Sequence, residues 1–215
     1  PTPPALAGRR AVADALSLTI SLCDALALIG DPLACRVLRH VAELRHRRLR
    51  VEALSALVRL KDPDSVGALA ALAAETPTAR LGVLVTSNTF RHPALVAKMA
   101  ATVDHISGGR VEVGLGAGWY VPEHEAFGIP FPEPPELVAR FREAVQVIDG
   151  MLREETSSFE GTYYQLTGAP ARPLPIQRPR PPLTLGAHGR QMLRIVAEYA
   201  DRWNSHGTPA EIAQR

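Results

Sequence analysis

The segment from Leu81 to Gly118 constrains the fold more than any other part of this 215-residue chain. It reads LGVLVTSNTFRHPALVAKMAATVDHISGGRVEVGLGAG and predicts a strand, a helix and a second strand. The uncharged run Leu81 to Thr86 is typical of a strand buried on both faces. The apolar spacing of Ala94 to Ile106 predicts a helix, with a proline at its start and glycines at its end. Arg110 to Gly116 completes a parallel βαβ unit.

Glycines occupy alternate positions at the end of the second strand, so one strand face there lacks side chains. They are Gly114, Gly116 and Gly118. Two interpretations stay open: close packing of strands, or close approach of a ligand at the strand end. The dinucleotide fingerprint is a third candidate, but it needs a helix directly after the glycines. We expect no helix to start between Trp119 and Pro135, which hold five prolines, so the Rossmann interpretation is rejected.

Several motifs follow one another between about residues 65 and 208. They read RLGVLVTSNTFRHPALVAKMAATVDHISGGRVEVGLGAGW, PEHEAFGIPFP, ARFREAVQVIDGMLREE, SFEGTYYQL and RPPLTLGAHGRQMLRIVAEYADRWN. In order and spacing they resemble the bacterial-luciferase-like oxidoreductases, most of all the branch that uses the deazaflavin coenzyme F-420. The resemblance implies an enzyme that transfers a hydride between this coenzyme, or FMN as the alternative, and a small organic substrate.

The resemblance implies an α/β fold, a TIM-type (β/α) barrel of which the chain holds strands three to six of eight. These strands are predicted at Leu81–Thr86, Val111–Gly116, Pro182–Ala187 and Arg202–Ser205. Such a partial barrel leaves two sheet edges bare. We therefore expect an incomplete barrel that is marginal as an isolated monomer. Two ways of protecting it stay open: the helical segment covers one edge or one face, or the chain pairs with a second copy. Both an active and an inactive enzyme are compatible with this incomplete barrel.

Residues 1–64 carry a different pattern. The run ALALIGDPLACRVLRHVAEL returns 31 residues later as ALVRLKDPDSVGALAALAAE, with Asp31-Pro32 matching Asp62-Pro63. This period resembles short α-helical HEAT-like repeats, and two similar helical hairpins without common origin are the alternative. We expect a HEAT-like domain at 1–64 joined to the partial barrel at 65–215 through the helix Ser65–Glu75. Natural fusion, engineering and a sequence-assembly error all produce such a join.

The resemblance also implies which residues hold the coenzyme. Its ring is expected against Val85, Thr86, Ser87, Ala117 and Gly118, and its phosphate at Ala187, His188, Gly189, Arg190 and Gln191. That turn leads into a predicted helix, Gln191–Ala200, whose free N–H groups favour an anion. Without the resemblance the turn is an ordinary strand-to-helix connection. Trp119 is expected to border the substrate pocket.

No catalytic residue is assigned from the sequence. Glu123, His124 and Glu125 are candidates for a general acid or base, but a solvated charged loop is the preferred interpretation. They do not form H-E-x-x-H, and no Cys/His cluster has zinc spacing, so no metal is expected.

Composition limits the partners. The formal net charge of +2 gives no reason to expect nucleic acid. The apolar segment Ala11 to Ile29 contains Asp14 and Asp24 and predicts a helix, not a membrane span. Two cysteines are too few for a disulfide framework and fit a reducing, cytoplasmic compartment.

Two functions from different classes follow. The first is the oxidoreductase, with a small-molecule substrate and a homo-oligomer or protein partner at the helical segment. The second is a non-catalytic helical-repeat scaffold that binds a protein and carries the barrel only as a folded remnant.

Overall fold

The structure, a computed structural model, describes residues 32–59, 65–207 and 212. The chain divides into two compact units between Ala79 and Arg80. The predicted helix Ala11–Ile29, Asp31 and the second Asp-Pro turn at residues 62–63 lie outside the described residues. The predicted domain boundary between residues 64 and 65 stays a prediction.

The first unit contains three described helices: α1 (Pro32–Glu43), α2 (Arg47–Arg59) and α3 (Ser65–Glu75). Their apolar faces form a small core of Leu38, Ala53, Leu54, Ala56 and Leu57, against which Leu72 packs. The Arg50 Nε atom donates to Glu75 Oε1 over 2.9 Å and so links α2 to α3. The HEAT-like interpretation of these helices stays a prediction.

The second unit contains a parallel sheet, helices and a hairpin. Its strands are β1 (Leu81–Gly82), β2 (Thr86–Ser87), β3 (Val111–Gly116), β4 (Thr156–Glu160), β5 (Gln165–Pro170), β6 (Leu183–Gly186) and β7 (Arg202–Asn204). Its helices are α4 (Pro93–Ser107), α5 (Val121–Ala126), α6 (Pro134–Arg153) and α7 (Arg190–Tyr199).

The order of the strands confirms the predicted parallel α/β arrangement. β1 and β2 both pair with β3, β3 pairs with β6, and β6 pairs with β7, all in parallel. β4 and β5 form a separate antiparallel hairpin. From β1 to β7, each later parallel strand is added at the same edge of the sheet, as in a (β/α) barrel. In a Rossmann sheet the direction of addition reverses at a switch point.

The first predicted strand, Leu81–Thr86, is interrupted. Gly82 pairs with Glu112 and Thr86 pairs with Leu115, so the first strand carries one extra residue between these pairs. Residues 83–85 leave the ladder as a bulge, and Leu84 is 72% exposed. The expectation of a continuous strand buried on both faces is therefore wrong, because an apolar run has the same composition with or without a bulge.

Helix α4 confirms the helix predicted after the first strand, with its proline start and its glycine stop. Pro93 lies in its first turn, and the His92 side chain caps it by accepting from the Ala94 N–H over 3.2 Å. Gly108 ends it in the left-handed conformation, with φ of 66°.

The expectation that no helix starts between Trp119 and Pro135 is wrong. α5 begins at Val121 with Pro122 in its first turn, and α6 begins at Pro134. A proline in the first turn replaces an N–H group that has no intrahelical partner, so these prolines start helices instead of preventing them. Strand order, not proline content, excludes the Rossmann fold.

Helix α6 packs an apolar face into the core that it shares with the sheet. Phe141, Val145, Ile148 and Leu152 lie on one face of it, each at most 1% exposed, and share a core with Leu115, Leu183 and Leu185. Its Glu143 carboxylate accepts three backbone N–H groups of the hairpin turn, from Thr162, Tyr163 and Tyr164, over 2.8 to 3.0 Å. The helix therefore fixes both the strands and the hairpin beside their carboxyl ends.

Candidate functional site

The carboxyl ends of four strands lie side by side. Ser87 of β2 pairs with Gly116 of β3, and Gly116 pairs with Gly186 of β6. Asn204 of β7 pairs with Gly186 on the other side. The structure thus brings all three predicted groups of coenzyme residues, those in and just before β2 and those after β3 and β6, to one edge of the sheet. Their role in binding stays a prediction.

The alternating glycines of β3 make room for the chain itself. A Cβ atom on Gly114 would overlap the Val83 carbonyl oxygen. A Cβ on Gly116 would lie 2.8 Å from Val85 Cγ2, and one on Gly186 would lie 2.9 Å from the same atom. Close packing is therefore the correct interpretation at Gly114 and Gly116, because the bulge 83–85 fills the face that these glycines leave open.

Gly118 and Trp119 lie beyond the end of β3. Gly118 has a φ of 101°, and a Cβ atom there would lie 2.7 Å from the Ser87 hydroxyl oxygen. Only glycine combines that backbone angle with so close an approach. Trp119 is 83% exposed and contacts the Tyr120 ring, with centroids 5.2 Å apart. A substrate-binding role for Trp119 stays a prediction.

A chain of hydrogen bonds starts at Ser87. Its hydroxyl lies 2.7 Å from the Thr89 hydroxyl, which lies 2.6 Å from His124 Nε2. His124 Nδ1 lies 2.9 Å from the Tyr120 carbonyl oxygen, which can only accept, so Nδ1 carries the proton. In the neutral imidazole Nε2 then accepts from Thr89, and Thr89 accepts from Ser87. The Ser87 hydroxyl is thereby held in one orientation at the strand end.

The prediction that residues 123–125 form a solvated charged loop is wrong for His124. This side chain is 1% exposed and stacks on the Phe90 ring, with centroids 4.6 Å apart. It lies on α5, whose helical turn points it inward, while Glu125 is exposed. His124 is a buried, hydrogen-bonded histidine, which the spacing of three charged residues could not reveal.

The turn after β6 is open to solvent. Ala187 is buried, its N–H donating to the Asn204 carbonyl over 3.2 Å, whereas His188, Gly189, Arg190 and Gln191 are exposed. Gly189 precedes α7 with a φ of 76°, and a Cβ atom on it would meet nothing within 4 Å. The start of α7, whose first N–H groups have no intrahelical partner, is therefore exposed, and such a helix start suits an anionic group.

A cleft of about 480 Å³ lies beside the strand ends, and we call it the Asn88 cleft. Asn88 is 5% exposed and donates from Nδ2 to the Tyr164 hydroxyl over 3.2 Å, while its Oδ1 has no partner. A buried acceptor without a partner costs about 1–3 kcal/mol. Sequence reasoning missed this cleft, because its lining comes from the loop after β2, the start of α6 and the hairpin.

The comparisons with known proteins identify the family. The model of the luciferase-like monooxygenase family matches residues 49–215. The chain belongs to this family. The matched luciferase-like region includes most of α2 and all of α3, and so begins before residue 65.

Luciferase-like relatives differ in the coenzyme that they use. The FMNH(2)-dependent dimethylsulfone monooxygenase of Pseudomonas putida is 32% identical over 119 residues, 55% of this chain and 33% of that protein. An F420-dependent glucose-6-phosphate dehydrogenase of Kineococcus radiotolerans is 39% identical over 120 residues, 53% of this chain and 35% of that protein. The matched region of the chain spans about a third of the length of each relative.

Solved luciferase-like structures agree with the fold. The coenzyme F420-dependent tetrahydromethanopterin reductase of Methanopyrus kandleri matches with a TM-score of 0.59 at 31% identity, over 66% of this chain and 44% of that one. A long-chain alkane monooxygenase matches with a TM-score of 0.60 at 18% identity, over 68% of this chain and 38% of that one, which supports the fold alone. These neighbours support an α/β fold with a parallel sheet of the kind found in luciferase-like TIM barrels.

Among the described residues, no group of three or more His, Cys, Asp or Glu side chains could hold a metal ion. Within ranges 32–59 and 65–207, no helix is long and apolar enough to cross a membrane.

Proposed function

We propose that this protein is an oxidoreductase that transfers a hydride between a deazaflavin coenzyme, F-420, or FMN, and a small organic substrate. The observation that carries the proposal is the alignment of three strand ends beside the open N-terminus of α7. Ligands of parallel α/β enzymes bind at this edge of the sheet. Family membership supplies the reaction class, and relatives with either coenzyme in their names support both alternatives.

The strand-end residues fit such a coenzyme. The exposed turn from His188 to Gln191 would hold its phosphate through backbone N–H groups, with Arg190 supplying positive charge. Val85, Thr86 and Ser87 would border its ring from β2, and Ala117 and Gly118 from β3. When bound, the coenzyme supplies the hydride chemistry itself. The chain itself would bind the coenzyme and orient its ring, and the Ser87 hydroxyl beside that ring is fixed by Thr89 and His124.

The remaining parts of the proposal concern the surroundings of the site. We place the substrate beside Trp119 and the protein in the cytoplasm. A second copy of the chain or a protein partner at the helical segment would cover a bare sheet edge, as open parallel sheets require.

Replacing Gly189 by aspartate should abolish coenzyme binding. The side chain would enter open space, so its negative charge would oppose a phosphate at the start of α7. The φ of 76° disfavours any side chain, so Gly189→Asn is the matched control, with the same shape and no charge. We expect affinity for FMN and for F-420, measured by fluorescence titration, to fall at least tenfold more in the aspartate variant than in the asparagine variant.

Two results would contradict the proposal. One is unchanged fluorescence of both coenzymes on titration with micromolar wild-type protein. The other is equal affinity of the aspartate and asparagine variants, which would place the phosphate elsewhere.

A further inference from the structure

His124 decides which hydrogen bonds the Ser87 hydroxyl can make. Its Nδ1–H donates to the Tyr120 carbonyl oxygen over 2.9 Å, so in the neutral imidazole only Nε2 is left to accept from Thr89. A hydroxyl carries a single proton, and Thr89 spends its proton on Nε2 over 2.6 Å. Thr89 can therefore only accept from Ser87, over 2.7 Å. The Ser87 proton is thereby engaged, and toward a ligand Ser87 is an acceptor and not a donor.

The rings around His124 hold its imidazole in one orientation. The side chain is buried, stacks on the Phe90 ring with centroids 4.6 Å apart, and meets the Phe131 ring edge-on with centroids 4.7 Å apart. A half-turn of the imidazole would break both of its hydrogen bonds inside this aromatic pocket. Because a buried polar atom is costly without a partner, the order of donors and acceptors from Tyr120 to Ser87 is fixed.

Gly118 leaves the Ser87 oxygen without a covering side chain. A Cβ atom at position 118 would lie 2.7 Å from Ser87 Oγ, 3.4 Å from Thr89 Oγ1 and 3.6 Å from Phe131 Cε2. Ser87 is half-buried at the end of β2, and its neighbour in the sheet is Gly116 at the end of β3. The acceptor is therefore placed where the coenzyme ring is expected, between the ends of these two strands.

The polarity of Ser87 limits which part of a coenzyme can face it. A ring carbonyl or a phosphate would set an acceptor against an acceptor, with no proton between them. The oxidised rings of FMN and of F-420 each carry one N–H group, the imide N3–H between two carbonyls. This group is the N–H donor that the two rings have in common, so Ser87 suits either coenzyme.

We propose that His124, acting through Thr89, fixes Ser87 as the acceptor for the N3–H group of the coenzyme ring. Ser87 makes the contact, and His124 is a positioning residue. The ring itself comes from the proposed function, on which this inference rests. The direction of the hydrogen bonds from Ser87 to His124 does not depend on a coenzyme and is tested without one.

The first test compares FMN with its N3-methyl derivative, in which a methyl group replaces the donor proton. We expect fluorescence titration of the full chain at pH 8 to show FMN binding at least about fivefold more tightly, because the methyl derivative leaves the Ser87 acceptor without a partner. In Ser87→Ala the two affinities should lie within about twofold of each other. Equal affinities in the wild type, or a preference that persists in Ser87→Ala, would overturn this inference alone. Failure of both FMN and F-420 to bind would contradict the proposed function as well.

Two substitutions at Thr89 separate a positioning role from packing. Valine keeps the shape of threonine but can neither accept from Ser87 nor donate to His124, so Thr89→Val should reduce the preference for FMN at least about twofold. Serine keeps the hydroxyl and loses a methyl group, so Thr89→Ser should retain that preference. A preference that survives in Thr89→Val or is lost in Thr89→Ser would show that Thr89 does not transmit the effect of His124.

The tautomer of His124 is measured without coenzyme. In long-range proton–nitrogen NMR spectra of the isotope-labelled chain at pH 8, where histidines are ordinarily neutral, we expect the His124 proton on Nδ1. The His124 signals are assigned by their loss in His124→Phe. Thr89→Val should shift the Nε2 resonance, and Thr89→Ser should leave it near its wild-type position. A proton on Nε2 would reverse the hydrogen bonds and overturn the inference, and a circular-dichroism melt of each variant confirms that it is folded.

Discussion

Replacing Arg180 by methionine should lower the free energy of unfolding by about 3 kcal/mol, the lower end of the range for breaking a buried ion pair. Arg180 is 6% exposed at the side chain and donates from Nε to Asp149 Oδ1 over 2.5 Å and from Nη1 to Asp201. Its Nη2 atom donates to the Tyr199 carbonyl over 3.0 Å. The side chain thus joins α6, the end of α7 and the start of β7. Methionine keeps much of the apolar stem but leaves both carboxylates without this cation.

The matched control is Arg153→Met, which removes another cation from the same acid. Arg153 Nε lies 2.8 Å from Asp149 Oδ2, four residues earlier on the helix, and its side chain is 40% exposed. Exposed ion pairs of this kind contribute about 0–1 kcal/mol to stability. The free energy of unfolding of this variant, measured in urea, should therefore be close to that of the wild type. A difference of less than 1 kcal/mol between the two variants would show that Arg180 does not hold these elements together.

Acid should weaken the wild type more than the Arg180→Met variant. Burial raises the pKa of Asp201, but the hydrogen bonds from Arg180 and from the Leu183 N–H outweigh it, so the net pKa is lowered. A lowered folded-state pKa gives a stabilisation that is complete above the unfolded value, about pH 4, and is lost as the pH falls through the folded value. Urea unfolding at pH 7 and pH 3 should therefore show the difference between wild type and variant shrinking at the lower pH. A constant difference would contradict the role of Asp201.

Local signals in the sequence predicted the sheet well. The positions of β3 and β6 follow from short runs between glycine and proline signals, and α4 follows from helical spacing with a proline start and a glycine stop. β7, which reads Arg-Trp-Asn, carries no such signal, and its prediction depends on the family resemblance. Because strand order then follows from chain order, the expected coenzyme residues fall on one sheet edge. These features depend on neighbours in sequence, which a single sequence displays.

Features that depend on contacts between distant residues could not be predicted. The bulge at residues 83–85 is set by its fit over Gly114 and Gly116, about 30 residues later, and the apolar run alone does not show it. The burial of His124 depends on Phe90 and Thr89, which α5 reaches only after the chain turns back. The Asn88 cleft needs Tyr164 and Arg140 from two other segments.

Replacing Gly114 by alanine should destabilise the second unit by about 3 kcal/mol or more, near the upper end for overpacking. The added Cβ would overlap the Val83 carbonyl oxygen and lie 3.0 Å from the Val83 carbonyl carbon. Both are backbone atoms, so no rotamer change can relieve the contact, and the bulge itself must move. Thermal and urea unfolding measure the loss. A Gly114→Ala protein as stable as wild type would show that the bulge does not rest on β3.

Gly116 offers the matched comparison, because the obstacle there is the end of a side chain. An alanine Cβ at position 116 would lie 2.8 Å from Val85 Cγ2 but 3.9 Å from Val85 Cβ. Gly116→Ala should therefore cost about 1–3 kcal/mol, and adding Val85→Ala should restore part of it. The same second substitution should not rescue Gly114→Ala, whose obstacle is the Val83 backbone. Rescue of both variants, or of neither, would contradict the placement of Val85 over the glycine face and, with it, the expected support of the coenzyme ring by the bulge.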